Sequence, residues 1–202
     1  MSGKLIVLDG PDGCGKSTQV RMLCQWLLDQ GTDAIALRDP GDTEIGERIR
    51  KILLSRNSRD MDTMTELLLY MACRAQLWSQ RIKPALEAGR WVVMDRWVSS
   101  TCAYQGHAGG YGIDRVLAIA ENALERIWPD LTVILDVGVE VAAGRMGDDL
   151  DRIEQRGEDY HQKVQEGFLR LAETNSGFVV VDARAGVEAV HEHVVREIDV
   201  LC

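Results

Sequence analysis

A short apolar run, Lys4-Leu5-Ile6-Val7-Leu8, leads into Gly10-Pro11-Asp12-Gly13-Cys14-Gly15-Lys16-Ser17-Thr18. A helical pattern follows from Gln19, with Val20, Leu23, Cys24, Leu27 and Leu28 on one face. The central stretch fits G-x-x-x-x-G-K-[ST], and buried strand, glycine loop, helix is the order that motif needs. Unpaired N–H groups at a helix start point at an anion in such a turn. Glycines 10, 13 and 15 let the backbone wrap a phosphate without side chains in the way. In that setting Lys16 reaches the outer phosphates of a nucleotide, and the Ser17 hydroxyl ligates magnesium.

At 202 residues the chain is expected to form one domain, with room for a small mobile insertion. A net charge of −9 argues against a chain held to nucleic acid by bulk electrostatics. Five cysteines, at 14, 24, 73, 102 and 202, form an odd set without C-x-x-C spacing, and read as reduced thiols. No apolar run approaches membrane-spanning length, and the first strand begins too early for a signal peptide. The expectation is a soluble, cytoplasmic protein with neither a membrane nor a nucleic-acid partner.

Further strand-like runs lie at 33–38, 91–95, 131–136 and 178–182, with helical patterns between them. Nearly continuous apolar runs suit a parallel sheet covered on both faces. The alternation predicts an open, doubly wound sheet with ligands beyond the carboxyl ends of its strands. Arg38, Asp95 and Asp136 stand at such ends. Helical patterns span 44–55 (with Thr43 as a cap), 61–88 (with Pro84 opening a last turn or a separate helix), 111–126, 139–145, 158–174 and 187–200. Val164, Phe168 and Leu171 mark the inward face of the 158–174 segment.

Between these elements several segments carry two readings. Arg38-Asp39-Pro40-Gly41-Asp42-Thr43 reads as a loop feeding a capped helix, which leaves Arg38 unexplained. Tyr70 and Arg74 share a helical face; they suit a planar, hydrogen-bonding ligand, or are a core tyrosine and a surface arginine. Asp95-Arg96 is either an acid organising magnesium beside a phosphate-binding arginine, or a strand-end salt bridge. The hydroxyls, amide and phenol of Ser99-Ser100-Thr101-Cys102-Ala103-Tyr104-Gln105-Gly106 line a pocket, or satisfy a buried helix start. The charged stretch 146–157 is a solvated loop, or a lid that closes basic side chains over phosphate. His107, His161, His191 and His193 lack zinc-ligand spacing and read as surface or structural.

Taken in order, the motifs resemble the thymidylate kinase family over almost the whole chain. They are the G-x-D-G-x-G-K-S-T loop, R-[ED]-P-G-x-T, the R-A-Q helix, D-R-x-x-x-S-x-x-A-Y-Q-G and the D-R-I-E lid. The resemblance implies an α/β fold of the P-loop NTPase type: three layers, a five-stranded parallel sheet and a small lid. It implies one nucleoside-monophosphate-kinase domain over 1–202, with the phosphate loop at 10–18 and the lid at about 146–157. The family moves the γ-phosphate of ATP to dTMP, giving dTDP, with magnesium and usually as a homodimer.

Position by position, the resemblance implies that Gly10 to Thr18 hold the ATP phosphates and that Asp12 lies near the acceptor 3′-hydroxyl. Arg38 and Arg96 grip the dTMP phosphate, and Arg96 also touches the transferring group. Tyr70 stacks on thymine, Arg74 bonds a base carbonyl, and Ser100, Thr101 and Gln105 complete the dTMP site, the last two at the base edge. Tyr104 crowds the 2′ position, Asp95 and Ser17 serve magnesium, and Arg145 lies by adenine. The loop has no arginine after Asp12, so positive charge is expected from the lid, from Arg152 first and Arg156 second. Asp39, Asp42, Cys73 and Trp97 depart from the residues common in the family, which leaves acceptor breadth open. The nearest rival is another nucleoside monophosphate kinase. A phosphate-loop switch or binding protein is the rival of a different class, and the chain shows neither N-K-x-D nor a well-placed D-x-x-G.

Overall fold

Five apolar runs become five parallel strands: those at 5–9, 91–95 and 131–136 are buried almost throughout, whereas those at 34–38 and 178–182 are partly exposed. The computed structural model describes residues 3–147 and 149–201; Cys202, one of the expected thiols, and Asp148, in the expected lid, lie outside them. In order the elements are β1 (Leu5–Asp9), α1 (Lys16–Asp29), β2 (Ala34–Arg38), α2 (Glu44–Leu54), α3 (Thr63–Leu77), α4 (Lys83–Glu87), β3 (Trp91–Asp95), α5 (Val98–Thr101), α6 (Ile113–Ala123), β4 (Leu131–Asp136), α7 (Val139–Arg145), α8 (Glu158–Thr174), β5 (Phe178–Asp182) and α9 (Val187–Asp199). The sheet order is β2-β3-β1-β4-β5, and every pairing is parallel.

Alternation along the central strands splits the interior in two. Leu5 and Val7 of β1, with Val92 and Met94 of β3, face a core that includes Leu67, Trp97, Val116 and Phe168. Ile6, Leu8 and Val93 face the other core, against Leu23 and Leu27 of α1 and Val194 and Ile198 of α9. The fold is thus a three-layer α/β arrangement of the P-loop NTPase type. No helix among the described residues is long and apolar enough to cross a membrane.

Helix limits follow local chemistry. α1 starts at Lys16, four residues before the first apolar position, Val20, because Gly15 takes φ 96° at its N-cap. Thr43 Oγ1 accepts from Gly46 N at 2.9 Å, the cap expected from sequence. The expected 61–88 helix instead starts after Asp62, widens to π-type turns over Trp78–Ile82, and resumes as α4. Pro84 has no N–H for a carbonyl one turn back, so the preceding turns open. The helix expected over 111–126 shortens to α6, entered from Gly112 at φ 97° and left through an extended Leu124. The polar stretch after Trp97 is helical: α5 runs into π-type turns at Cys102–Ala108. Val164, Phe168 and Leu171 of α8 are buried as expected.

Register places the chemistry. Leu8 pairs with Asp95, and Arg38 also pairs with Asp95, so three carboxyl ends lie side by side. Backbone bonds extend this beyond the strands: Asp39 N donates to Asp95 O at 2.9 Å and Arg96 N to Leu8 O at 3.0 Å.

Candidate active site

The phosphate loop turns tightly between β1 and α1. Gly10 (φ 138°) and Gly13 (φ 77°) take conformations that side chains resist. A Cβ at Gly13 would also lie 2.3 Å from Ala142 O of α7, and one at Gly10 would lie 2.5 Å from Leu135 O. Lys16 Nζ folds over the loop and donates to Pro11 O at 2.7 Å and Gly10 O at 3.2 Å. Cys14 is buried beside it, its Sγ 3.5 Å from Nζ. Ser17 Oγ donates to Asp95 Oδ2 at 2.5 Å, so a hydroxyl and a carboxylate meet at the start of α1. Among the described residues no cluster of three metal-ligating side chains occurs. Ser17 and Asp95 fit an ion that takes its remaining ligands from phosphate oxygens and water.

Arg96 is the hub of the site. Its Nη1 donates to Gly10 O and to Ser100 Oγ, each at 2.9 Å, and its Nη2 donates to Asp12 Oδ1. The guanidinium lies 5.3 Å from the Tyr104 ring centroid. Arg96 is also one of two non-glycine residues at positive φ among the described residues, at 72°. Beneath it Asp9 is fully buried and accepts from Ser99 Oγ at 2.6 Å, Ser100 Oγ at 2.7 Å and Gly10 N at 2.9 Å. Burial alone would raise the Asp12 carboxyl, but the charges of Arg96 and Lys16 and a 2.7 Å bond from Tyr104 Oη hold it at about 2. Asp12 is therefore ionised across the neutral range. Burial pushes the Tyr104 phenol well above its usual range, which keeps it a donor.

Two cavities meet at this hub. One is lined by Tyr70, Arg74, Ser100, Thr101, Tyr104 and Gln105, among others; the second, along the phosphate loop, by Lys16, Ser17, Thr18, Arg38, Asp95 and Arg145. Asp12, Asp39, Arg50, Arg96 and Glu154 border both. Arg74 is not a surface arginine. It is buried, with Nε donating to Asp39 Oδ2 at 2.6 Å, Nη1 to Thr101 Oγ1 at 2.7 Å and Nη2 to Trp97 O at 2.8 Å. Asp39 is buried with it, and its Oδ1 has no partner. Burial raises the Asp39 carboxyl, and Arg74 offsets this only in part.

The unusual residues each have a place. Asp42 sits at φ 56° and compensates with its carboxylate, which accepts from Arg38 N at 2.6 Å. Trp97 is fully buried behind Arg74, its Nε1 donating to Ile127 O at 2.8 Å. Cys73 packs against α2 rather than into a cavity, and burial pushes its thiol up to about 11. Cys14, Cys24, Cys73 and Cys102 are unpaired thiols.

The two arginines of the expected lid, Arg152 and Arg156, do not line the phosphate-loop groove. Arg152 is buried, with Nε donating to Leu53 O at 2.9 Å and Nη2 paired with Glu66 Oε2. Arg156 is about one-third exposed, 3.6 Å from the same Glu66 oxygen and stacked on Tyr160. It lines a third cavity with Pro11 and Asp12. Arg145 Nη1 donates to Ala183 O at 3.0 Å. Asp136 accepts from Gln165 and takes no part in either of the two main cavities.

Three residues at the site escaped the sequence reading. Asp9 ends a strand just as Asp95 does, and that signal was available. Glu66 stands four residues before Tyr70 and eight before Arg74, so helical spacing puts it on their face. Arg50 borders both main cavities and donates to Pro40 O at 2.8 Å. On α2 it reads as one more surface arginine, with no signal to single it out.

Residues 8–194 match the family described as thymidylate kinase. Thymidylate kinase from Thermoanaerobacter sp. (strain X514) is 42% identical over 197 residues, covering 96% of this chain and 97% of that protein. The thymidylate kinase of Symbiobacterium thermophilum is 44% identical over 196 residues, 96% of this chain and 92% of its own length. That of Fervidobacterium nodosum is 38% identical over 192 residues, with 95% and 96% covered.

Proposed function

The chain belongs to the thymidylate kinase family and transfers the γ-phosphate of ATP to dTMP, giving dTDP, and we propose that its residues divide the work as follows. The observation that carries the division is the meeting of the two cavities at Asp12 and Arg96. ATP lies along Gly10 to Thr18, with its outer phosphates at Lys16 and its adenine near Arg145. dTMP enters the other cavity, with thymine against Tyr70, Arg74, Thr101 and Gln105 and its 3′-hydroxyl at Asp12. Ser100 supports this side through Arg96, and Tyr104 crowds the 2′ position. Arg38 and Arg96 hold the acceptor phosphate.

An oxygen of that phosphate attacks the γ-phosphorus, and the bond to the β–γ bridging oxygen breaks to release ADP. No general base is required, because the second ionisation of a phosphate monoester lies near about 6. Positioning and cationic stabilisation therefore carry the catalysis. Lys16 and Arg96 supply charge from the two sides. Magnesium held at Ser17 and Asp95 would neutralise charge on phosphate oxygens. Residues 146–157 act as the lid within a single domain spanning 1–202. Of its arginines, Arg156 is the cation nearer the loop, whereas Arg152 anchors the segment to Glu66.

Incubation with Mg-ATP and, separately, dTMP, dUMP, dGMP, dCMP, UMP or no acceptor tests the acceptor. The expected result is ADP release that depends on dTMP, with dTDP formed. Activity with another acceptor alone would overturn the base assignments, and ADP release without acceptor would point to a switch protein.

We also propose a homodimer in the cytoplasm. Ile45 and Ile52 of α2 and Met64 and Leu68 of α3 are exposed apolar residues on two helices packed against each other. Sedimentation of the purified chain is expected to give twice its mass; a monomer at micromolar concentration would remove this proposal.

A further inference from the structure

We propose that Glu66 is a positioning residue that fixes which way the Gln105 amide faces, and thereby sets the preference for thymine and uracil over cytosine. The inference rests on the dTMP reading above and concerns how the same cavity tells one pyrimidine from another.

Gln105 is 3% exposed and borders the acceptor cavity. Its side chain makes one hydrogen bond, from Nε2 to Glu66 Oε1 at 2.5 Å. Glu66 is itself buried at 2% exposure and pairs through Oε2 with Arg152 and, at 3.6 Å, with Arg156. A carboxylate between two guanidinium groups can only accept, so the nitrogen of Gln105 must turn towards it. That leaves the amide oxygen and one N–H for the base.

Thymine and uracil present a carbonyl acceptor beside an N3–H donor. Cytosine presents an amino donor beside an N3 acceptor. A side-chain amide satisfies either edge, but in opposite orientations. An amide free to flip therefore reads both bases, whereas one anchored at its nitrogen reads one edge and leaves polar atoms unpaired against the other. Unpaired buried polar groups are what make such discrimination large. Gln105 could not acquire this from the residues around the base alone, since none of them holds its nitrogen. Arg74, with donors only, adds to the bias against an amino group.

The experiment compares the parent enzyme with Glu66→Gln and Glu66→Asp, using dTMP, dUMP and dCMP as acceptors. Glutamine keeps the size of Glu66 but can donate as well as accept, so the Gln105 amide is released. Aspartate keeps the charge facing Arg152 and withdraws the acceptor by one methylene. The dTMP-to-dCMP ratio of kcat/KM is expected to fall about tenfold or more in both. The dTMP-to-dUMP ratio should hold, because those bases share the edge that Gln105 meets. In a Gln105→Met background, Glu66→Gln should change the dTMP-to-dCMP ratio no further, since there is no amide left to orient. A loss shared equally by all three acceptors would mark Glu66 as structural support only and overturn the proposal. A parent enzyme active on dTMP with variant ratios unchanged sinks this inference alone. A parent inactive on dTMP removes the acceptor reading and this inference with it.

Discussion

Replacing Arg96 with alanine is expected to lower kcat for dTMP by about 10³-fold, the range seen when an arginine that meets a transferring phosphoryl group is removed. Three features make this the most damaging single change. Arg96, like Arg50, borders both cavities, and Arg96 is also bonded to the phosphate loop through Gly10 O and Asp12. It is held by Gly10 O, Asp12 and Ser100, and needs no reorganisation when charge develops. Its backbone sits at φ 72°, a conformation that a non-glycine residue keeps only where its surroundings demand it. Arg96→Lys should recover little of the loss, because an ammonium cannot bond Asp12 and a phosphate with one planar fork. Steady-state kinetics with both substrates varied gives the answer, with a thermal melt to show that the variant folds. A fall below tenfold would take Arg96 out of the transfer step.

Asp39→Ala should cost about 3–5 kcal/mol of folding stability, the usual penalty for leaving a buried charge without its partner. Asp39 and Arg74 have side-chain exposures of 0% and 1%, and their bond is 2.6 Å. Remaining bonds from Arg74 to Thr101 and Trp97 are to neutral groups and do not replace the carboxylate. The raised Asp39 carboxyl shows that burial outweighs the attraction of Arg74 there. Replacing both, as in Asp39→Leu with Arg74→Met, should therefore recover most of the stability while dTMP affinity stays low. Urea unfolding of the two single variants and the double measures this. A double variant as unstable as the sum of the singles would show that the pair is not coupled.

Much of this was legible in the chain, and the reasons are physical. A strand buried on both faces has to be apolar throughout, so the runs at 91–95 and 131–136 coincide with their strands, and the 178–182 run was legible from its β-branched valines although it is partly exposed. The phosphate loop was legible because its glycines, lysine and hydroxyl answer to one geometry. Thr43 was legible as a cap because capping is local. What escaped depends on partners distant in sequence. Arg152 reads as a free lid cation until α3 brings Glu66 to it. Arg74 reads as a surface residue until Asp39, Trp97 and Thr101 close around it. The 99–106 stretch has no helical periodicity because all of it is buried, so its π-type turns left no pattern to find.

Sheet order also decides which parts of the site open most readily. β1, β3 and β4 are each hydrogen-bonded on both sides, whereas β2 and β5 have one neighbour apiece. Backbone openings cost least where one ladder rather than two must break, so β2 belongs to the less protected part of the sheet. Arg38 ends β2, while the phosphate loop and Asp95 grow from β1 and β3. Arg38 lines the phosphate-loop cavity from this edge, so transient fraying would loosen the acceptor-phosphate contact proposed for it while β1 and β3 stay paired. Amide exchange would be slow in β1 and β3 and faster in β2, a gradient running across a single sheet.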